Sequence, residues 1–150
     1  MKMDLAYLKK KIKKCIDEFY LNESDLLKRK NYEVTISSKF AQYLFMEFSR
    51  FDVDCEYNKH INKEKRVDEL NQNVRPDIVI HRRGTDKNNL VYIEIKTDHN
   101  TQSREDDYNK IKAMTKQNGE YRYLLGAFIE FSKNKKDLIV KYFRDGEEWN

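Results

Sequence analysis

Asp77, Glu94 and Lys96 are the residues whose types and spacing could do chemistry. They lie in two apolar runs, Arg75-Pro76-Asp77-Ile78-Val79-Ile80-His81 and Leu90-Val91-Tyr92-Ile93-Glu94-Ile95-Lys96-Thr97, joined by a charged turn. Residues two apart on a strand project to the same face, so Glu94 and Lys96 share a side with Leu90 and Tyr92. Val91, Ile93 and Ile95 fill the other side. A carboxylate and an ammonium in an otherwise apolar strand are costly to bury unless they pair or serve a site. Such breaks in a strong local pattern are where function is expected. With Asp77 at the mouth of the preceding strand, two carboxylates and an ammonium suit a divalent cation and a water attacking a phosphodiester. The bland alternative is a Glu94–Lys96 surface salt bridge, with Asp77 as a strand-entry turn residue. The chain contains one acidic-x-Lys triplet, and it falls in this strand.

The elements around these residues emerge from periodicity. Leu5, Leu8, Ile12, Ile16 and Phe19 form a helical stripe with Asp4 as N-cap. Asn22 to Ser24 break it, and a short helical turn over Leu26 to Lys30 comes next. A second helix is expected from Ser37 to Phe51, capped by Thr35 or Ser37, with Glu33 just ahead of it. The period then changes to two, with Val53, Cys55 and Tyr57 alternating with Asp54 and Glu56 in a half-buried strand. Asn58 to Val74 reads as a polar loop with a helical turn near Val67 to Leu70. Strands over Asp77–Arg82 and Leu90–Lys96 form a hairpin, and Pro76 is tolerated at the strand entry. Thr97 to Asp107 reads as polar and exposed. A helix marked by Tyr108, Ile111 and Met114 ends before Gly119. Tyr121 to Phe131 is apolar enough to be buried on both faces. Leu138 to Phe143 returns the chain, and a short acidic tail comes after Gly146. The order predicts an α/β fold, a mixed sheet of about five strands flanked by helices.

Composition narrows the function classes. One compact domain is the expectation for 150 residues. Charged residues are 37% of the chain and net charge is +4, a mild basic excess that permits nucleic-acid binding without demanding it. Cys15 and Cys55 are read as reduced, buried thiols rather than a disulfide or metal site. No apolar run approaches the ~20 residues of a membrane span, and no signal-peptide core is present, so a cytoplasmic protein is expected. His60, His81 and His99 lack zinc spacing. Only four glycines are present, and none builds a phosphate cradle.

The two strand motifs resemble the signature of the PD-(D/E)XK nuclease superfamily. The resemblance extends to Glu33-Val34-Thr35-Ile36, Ala41-Gln42-Tyr43-Leu44, Val53 to Asn58, Arg75 to Gly84, Asn89-Leu90 and Ile93 to Lys96, and is closest to small stand-alone members. Relatives carry a His early in the first core helix, where this chain has Ser38. The resemblance implies a restriction-endonuclease-like core over 33–150, with 1–31 as an N-terminal helical extension. It implies a Mg²⁺-dependent endonuclease acting on DNA, with Mn²⁺ able to substitute. Asp77 and Glu94 would ligate the metal beside the backbone carbonyl of Ile95, Lys96 would orient the water or stabilise developing charge, and Glu33 would complete the metal shell. Arg82 and Arg83 on the turn between the motif strands, and Lys110 on the next helix, are candidate substrate contacts. Two other readings stand beside this one. The first is a non-catalytic module that keeps the fold and binds nucleic acid or a protein. The second is an interaction protein that forms a homodimer through its aromatic residues.

Overall fold

The structure is a computed structural model that describes residues 3–60, 63–64, 66–67, 70 and 72–150. Its main sheet has six strands, β1 (Asp52–Cys55), β6 (Ile78–His81), β7 (Val91–Thr97), β8 (Leu125–Phe131), β9 (Ile139–Arg144) and β10 (Glu147–Trp149), side by side in that order. Neighbours are antiparallel except β7 and β8, which run parallel with Glu94 opposite Phe128. Two short antiparallel ribbons, β2 (Lys59–His60) with β3 (Lys63–Glu64) and β4 (Arg66–Val67) with β5 (Gln72–Asn73), occupy the stretch expected as a loop. The helical turn expected at 67–70 falls partly outside the described residues, and Val67 belongs to β4.

Strand alternation divides the sheet between two cores. Ile78 and Ile80 of β6, Val91, Ile93 and Ile95 of β7, and Leu125, Ala127, Ile129 and Phe131 of β8 face α1 (Leu5–Lys28) and α2 (Glu33–Glu47). Val79, Tyr92 and Phe128 point the other way, onto Ile111 and Met114 of α3 (Glu105–Thr115). The result is an α/β fold with helices on both faces of a mixed, open sheet. β8 is buried on both faces, as its composition predicts. α3 lies close to the sheet because Gly126 has no side chain: a Cβ there would stand 2.2 Å from Ile111 Cγ2.

Several local expectations are corrected. The break expected at Asn22 to Ser24 is present as a kink, with Glu23 non-helical at φ −125° and ψ 18°, and the helical piece after it runs on to Lys28 as part of α1. Asp4 does cap α1, accepting from the Ala6 amide at 3.0 Å. α2 starts at Glu33, so Thr35 and Ser37 lie inside it and cap nothing, and Tyr32 precedes it without a side-chain cap. Cys15 is buried but Cys55 is exposed. On the edge strand β1, Cys55 keeps the face of Val53, opposite Ile78; just after it Glu56, with a φ of +51°, breaks the alternation, so Tyr57 packs on the α3 side. The tail is a sixth strand rather than a loose end. Asp145 and Gly146 both take positive φ, the two-residue hairpin geometry that Asp-Gly favours. Among the described residues, no helix is long and apolar enough to cross a membrane.

Candidate active site

The site forms where β7 ends, on the α3 face of the sheet. Tyr92 and Glu94 share that face, and the Tyr92 hydroxyl donates to Glu94 Oε1 at 2.8 Å. Glu94 is 5% exposed. Asp77, just ahead of β6, reaches across to β7, where its Oδ2 accepts the Ile95 amide at 2.6 Å. Lys96 extends one step further along the same face.

Asp107 completes the cluster. It lies in the first turn of α3 and is 5% exposed. Its Oδ2 stands 3.3 Å from Lys96 Nζ yet makes no aligned hydrogen bond. The loop before α3 is tied down by Arg104, which donates to Glu130 at 2.8 Å and to the Asn100 and Thr97 carbonyls. Residues 98–106 are exposed or half-buried, as expected of that stretch, while Asp107 at its end is buried. Glu105, Asp106 and Asp107 form an acidic first turn of the kind any helix N-terminus favours; of the three, Asp107 alone lies four and seven residues before Ile111 and Met114, the helical spacing that puts it on their inward face.

Electrostatics reflect this crowding. Burial pushes the Glu94 carboxyl well above the ordinary carboxylate range, and the charges of Asp77 and Asp107 push it further. Burial also raises Asp77, opposed by the Ile95 amide and by a hydrogen bond with Glu94. That bond lowers Asp77 and raises Glu94, so the shared proton rests on Glu94. For Lys96, burial works downward, but Asp107 and Glu33 outweigh it and hold the ammonium charged. Tyr92, fully buried beside Glu94, is raised and stays a neutral donor.

Of the other expected residues, Glu33 comes nearest. In the first turn of α2, it accepts the Thr97 amide at 2.9 Å and the Asn100 side chain at 3.0 Å, and lies 4.0 Å from Lys96 Nζ. It reaches the end of β7, but the third carboxylate beside Glu94 and Asp77 is Asp107. Lys110 is half-buried on α3, one turn beyond Asp107. Arg82 and Arg83 are not brought to the site, because they lie past the far end of β6. Arg82 sits over the Phe51 ring at 5.0 Å. Arg83 forks onto Asp54, which also takes His81 at 2.8 Å. Burial acts to raise Asp54, but Arg83 and His81 prevail and hold it below the ordinary range.

Among the described residues, no group of three or more His, Cys, Asp or Glu side chains forms a metal cage by itself. The donor set nonetheless fits a hard cation. Asp77 and Glu94 are adjacent carboxyls with raised pKa, oxygen donors of the type such a cation takes, while the buried Asp107 oxygen is already met by the Lys96 ammonium at 3.3 Å. No family model, curated protein or solved structure matches this chain.

Proposed function

We propose that the chain is a divalent-metal-dependent nuclease that hydrolyses DNA phosphodiester bonds as an endonuclease on a restriction-endonuclease-like core. One observation carries the reading: a half-buried Asp77 and a buried Glu94 sit in hydrogen-bond contact, and the neighbouring ammonium is paired elsewhere. Two carboxyls crowded together out of water, with the nearest ammonium bound to other carboxylates, are expensive in any structural role.

Magnesium, or manganese in its place, would be held by Asp77 and Glu94 with the Ile95 carbonyl, and when bound would polarise the phosphate and acidify a nearby water. The chain's own residues do the rest. The Ile95 amide and the Tyr92 hydroxyl orient Asp77 and Glu94, so both carboxylates are preorganised. Lys96, 14% exposed at its side chain, keeps its proton and offers positive charge to the negative charge that builds on the phosphate. Glu33 fixes the end of β7 through Thr97 and the loop beyond it through Asn100.

A plasmid-nicking assay with Mg²⁺ and Mn²⁺ tests this. Wild-type protein should relax supercoiled plasmid, and Asp77→Ala, Glu94→Ala and Lys96→Ala should not. Identical behaviour of all four across a metal series sinks the proposal. Plasmid retention in gels without turnover would instead favour a binding module.

A further inference from the structure

We propose that Asp107 is a positioning residue for Lys96: it draws the ammonium away from Glu94, so that the carboxylate pair stays open to a cation. The inference rests on the metal-dependent reading above and adds a residue to it.

The starting point is an ion pair that does not form. Glu94 and Lys96 share one strand face about 7 Å apart along the chain, within reach of a lysine stem. An ammonium folded back onto the buried carboxylates would be the simplest way for the chain to neutralise them. Among the described residues, Lys96 instead meets Asp107 at 3.3 Å and Glu33 at 4.0 Å, and no other carboxylate. The two partners come from opposite faces of the sheet, one on α3 and one on α2, and hold the ammonium beyond Glu94.

Asp107 is built for this task. It is buried, its Oδ2 makes no hydrogen bond, and the charge of Lys96 is what compensates that oxygen. Its backbone is held in register by the Arg104 anchor before it and by Tyr108 packed edge-on against Phe128 at 4.9 Å after it. Glu33 is shared with Thr97 and Asn100 and stands further off. Remove the charge of Asp107, and the strongest remaining attraction for the ammonium is Glu94 with Asp77. Lys96 would then occupy the place of the cation.

Mn²⁺ binding to the full chain, measured by titration calorimetry, tests this without reference to turnover. Asp107→Asn should weaken binding on the order of tenfold, the usual cost of losing an outer-shell partner. The double variant Asp107→Asn/Lys96→Met should bind at least as well as wild type, because the competing ammonium is gone. Lys96→Met alone should not weaken binding. Undiminished affinity in Asp107→Asn overturns the proposal. So does a loss that Lys96→Met fails to rescue, which would make Asp107 a ligand or a purely structural group. If wild type binds no Mn²⁺, the metal-dependent reading falls, and a crystal structure of Asp107→Asn decides the rest. Lys96 within ion-pair distance of Glu94 upholds the positioning role, and Lys96 left in place refutes it. Circular dichroism on each variant excludes unfolding as the cause.

Discussion

Asp77 Oδ2 takes the amide hydrogen of Ile95 at 2.6 Å, with Asp77 one residue and Ile95 two residues past the last pair of β6 and β7, Ile78 with Ile93. The register that sets Ile78 against Ile93 would put Pro76 opposite Ile95. The Asp77 side chain therefore finishes a ladder that the backbone leaves open. A carboxylate committed in this way is aimed before any ligand arrives, which is what electrostatic preorganisation requires.

That aim separates the two kinds of residue at the site. Lys96→Ala should lower the nicking rate by on the order of 10²–10³ while leaving Mn²⁺ affinity intact, since it offers charge rather than ligands. Asp77→Asn should abolish both. Calorimetry beside the nicking assay separates the cases, and loss of metal binding in Lys96→Ala would contradict the assigned roles.

Glu94 links the site to stability. Its folded pKa lies well above the ordinary 4.5, so its contribution favours the fold fully below that value and is lost as pH rises through the folded value. In EDTA, the melting temperature should fall as pH rises above the ordinary 4.5, and Glu94→Gln should flatten that fall. Divalent metal should restore wild-type stability at the upper end. Parallel pH profiles for the two proteins would rule this out.

Gly126 governs how close α3 comes. A methyl group there meets Ile111 Cγ2 at 2.2 Å and Thr115 Cγ2 at 3.0 Å, with Phe143 behind. Gly126→Ala should cost about 1–3 kcal/mol in urea unfolding, the range for overpacked cores. Because α3 carries Asp107, the variant should also weaken Mn²⁺ binding. Unaltered stability would mean α3 yields more easily than its packing indicates.

Arg83 lies past the far end of β6 from Asp77 and pairs with Asp54. Its guanidinium is spent on Asp54, and it is exposed enough that the pair is worth at most about 1 kcal/mol. Arg83→Ala should lower the melting temperature slightly and leave the nicking rate unchanged. A large rise in KM with normal stability would return Arg83 to the substrate.

The two motif strands are legible in the sequence because a polar pair interrupts an apolar alternation there, and alternation survives folding. The same logic exposes the first helical stripe and the doubly buried β8. It fails where tertiary contact decides. Helical spacing puts Asp107 on the face of Ile111 and Met114, but its partner there, Lys96 on β7, is set only by the packing of α3 on the sheet. Nothing in Val53 to Tyr57 announces that Glu56 takes positive φ and sends Tyr57 to the opposite face. The start of α2 is hidden because Tyr32 precedes it without the side-chain cap that marks most helix beginnings. Asp145-Gly146 does carry a hairpin signal, but the partner strand Glu147–Trp149 is too short and too acidic to read as one.

The parallel pairing of β7 with β8 sets an order of events. Residues 98–124 must loop out and return before Glu94 finds Phe128 opposite, and α3 needs Phe128 and Gly126 beneath it to dock. A nascent chain that has left the ribosome only as far as β7 carries Glu94 and Lys96 but has no seat for Asp107. Whatever the centre does, it assembles only once β8 has emerged, and a chain halted before β8 is born without it.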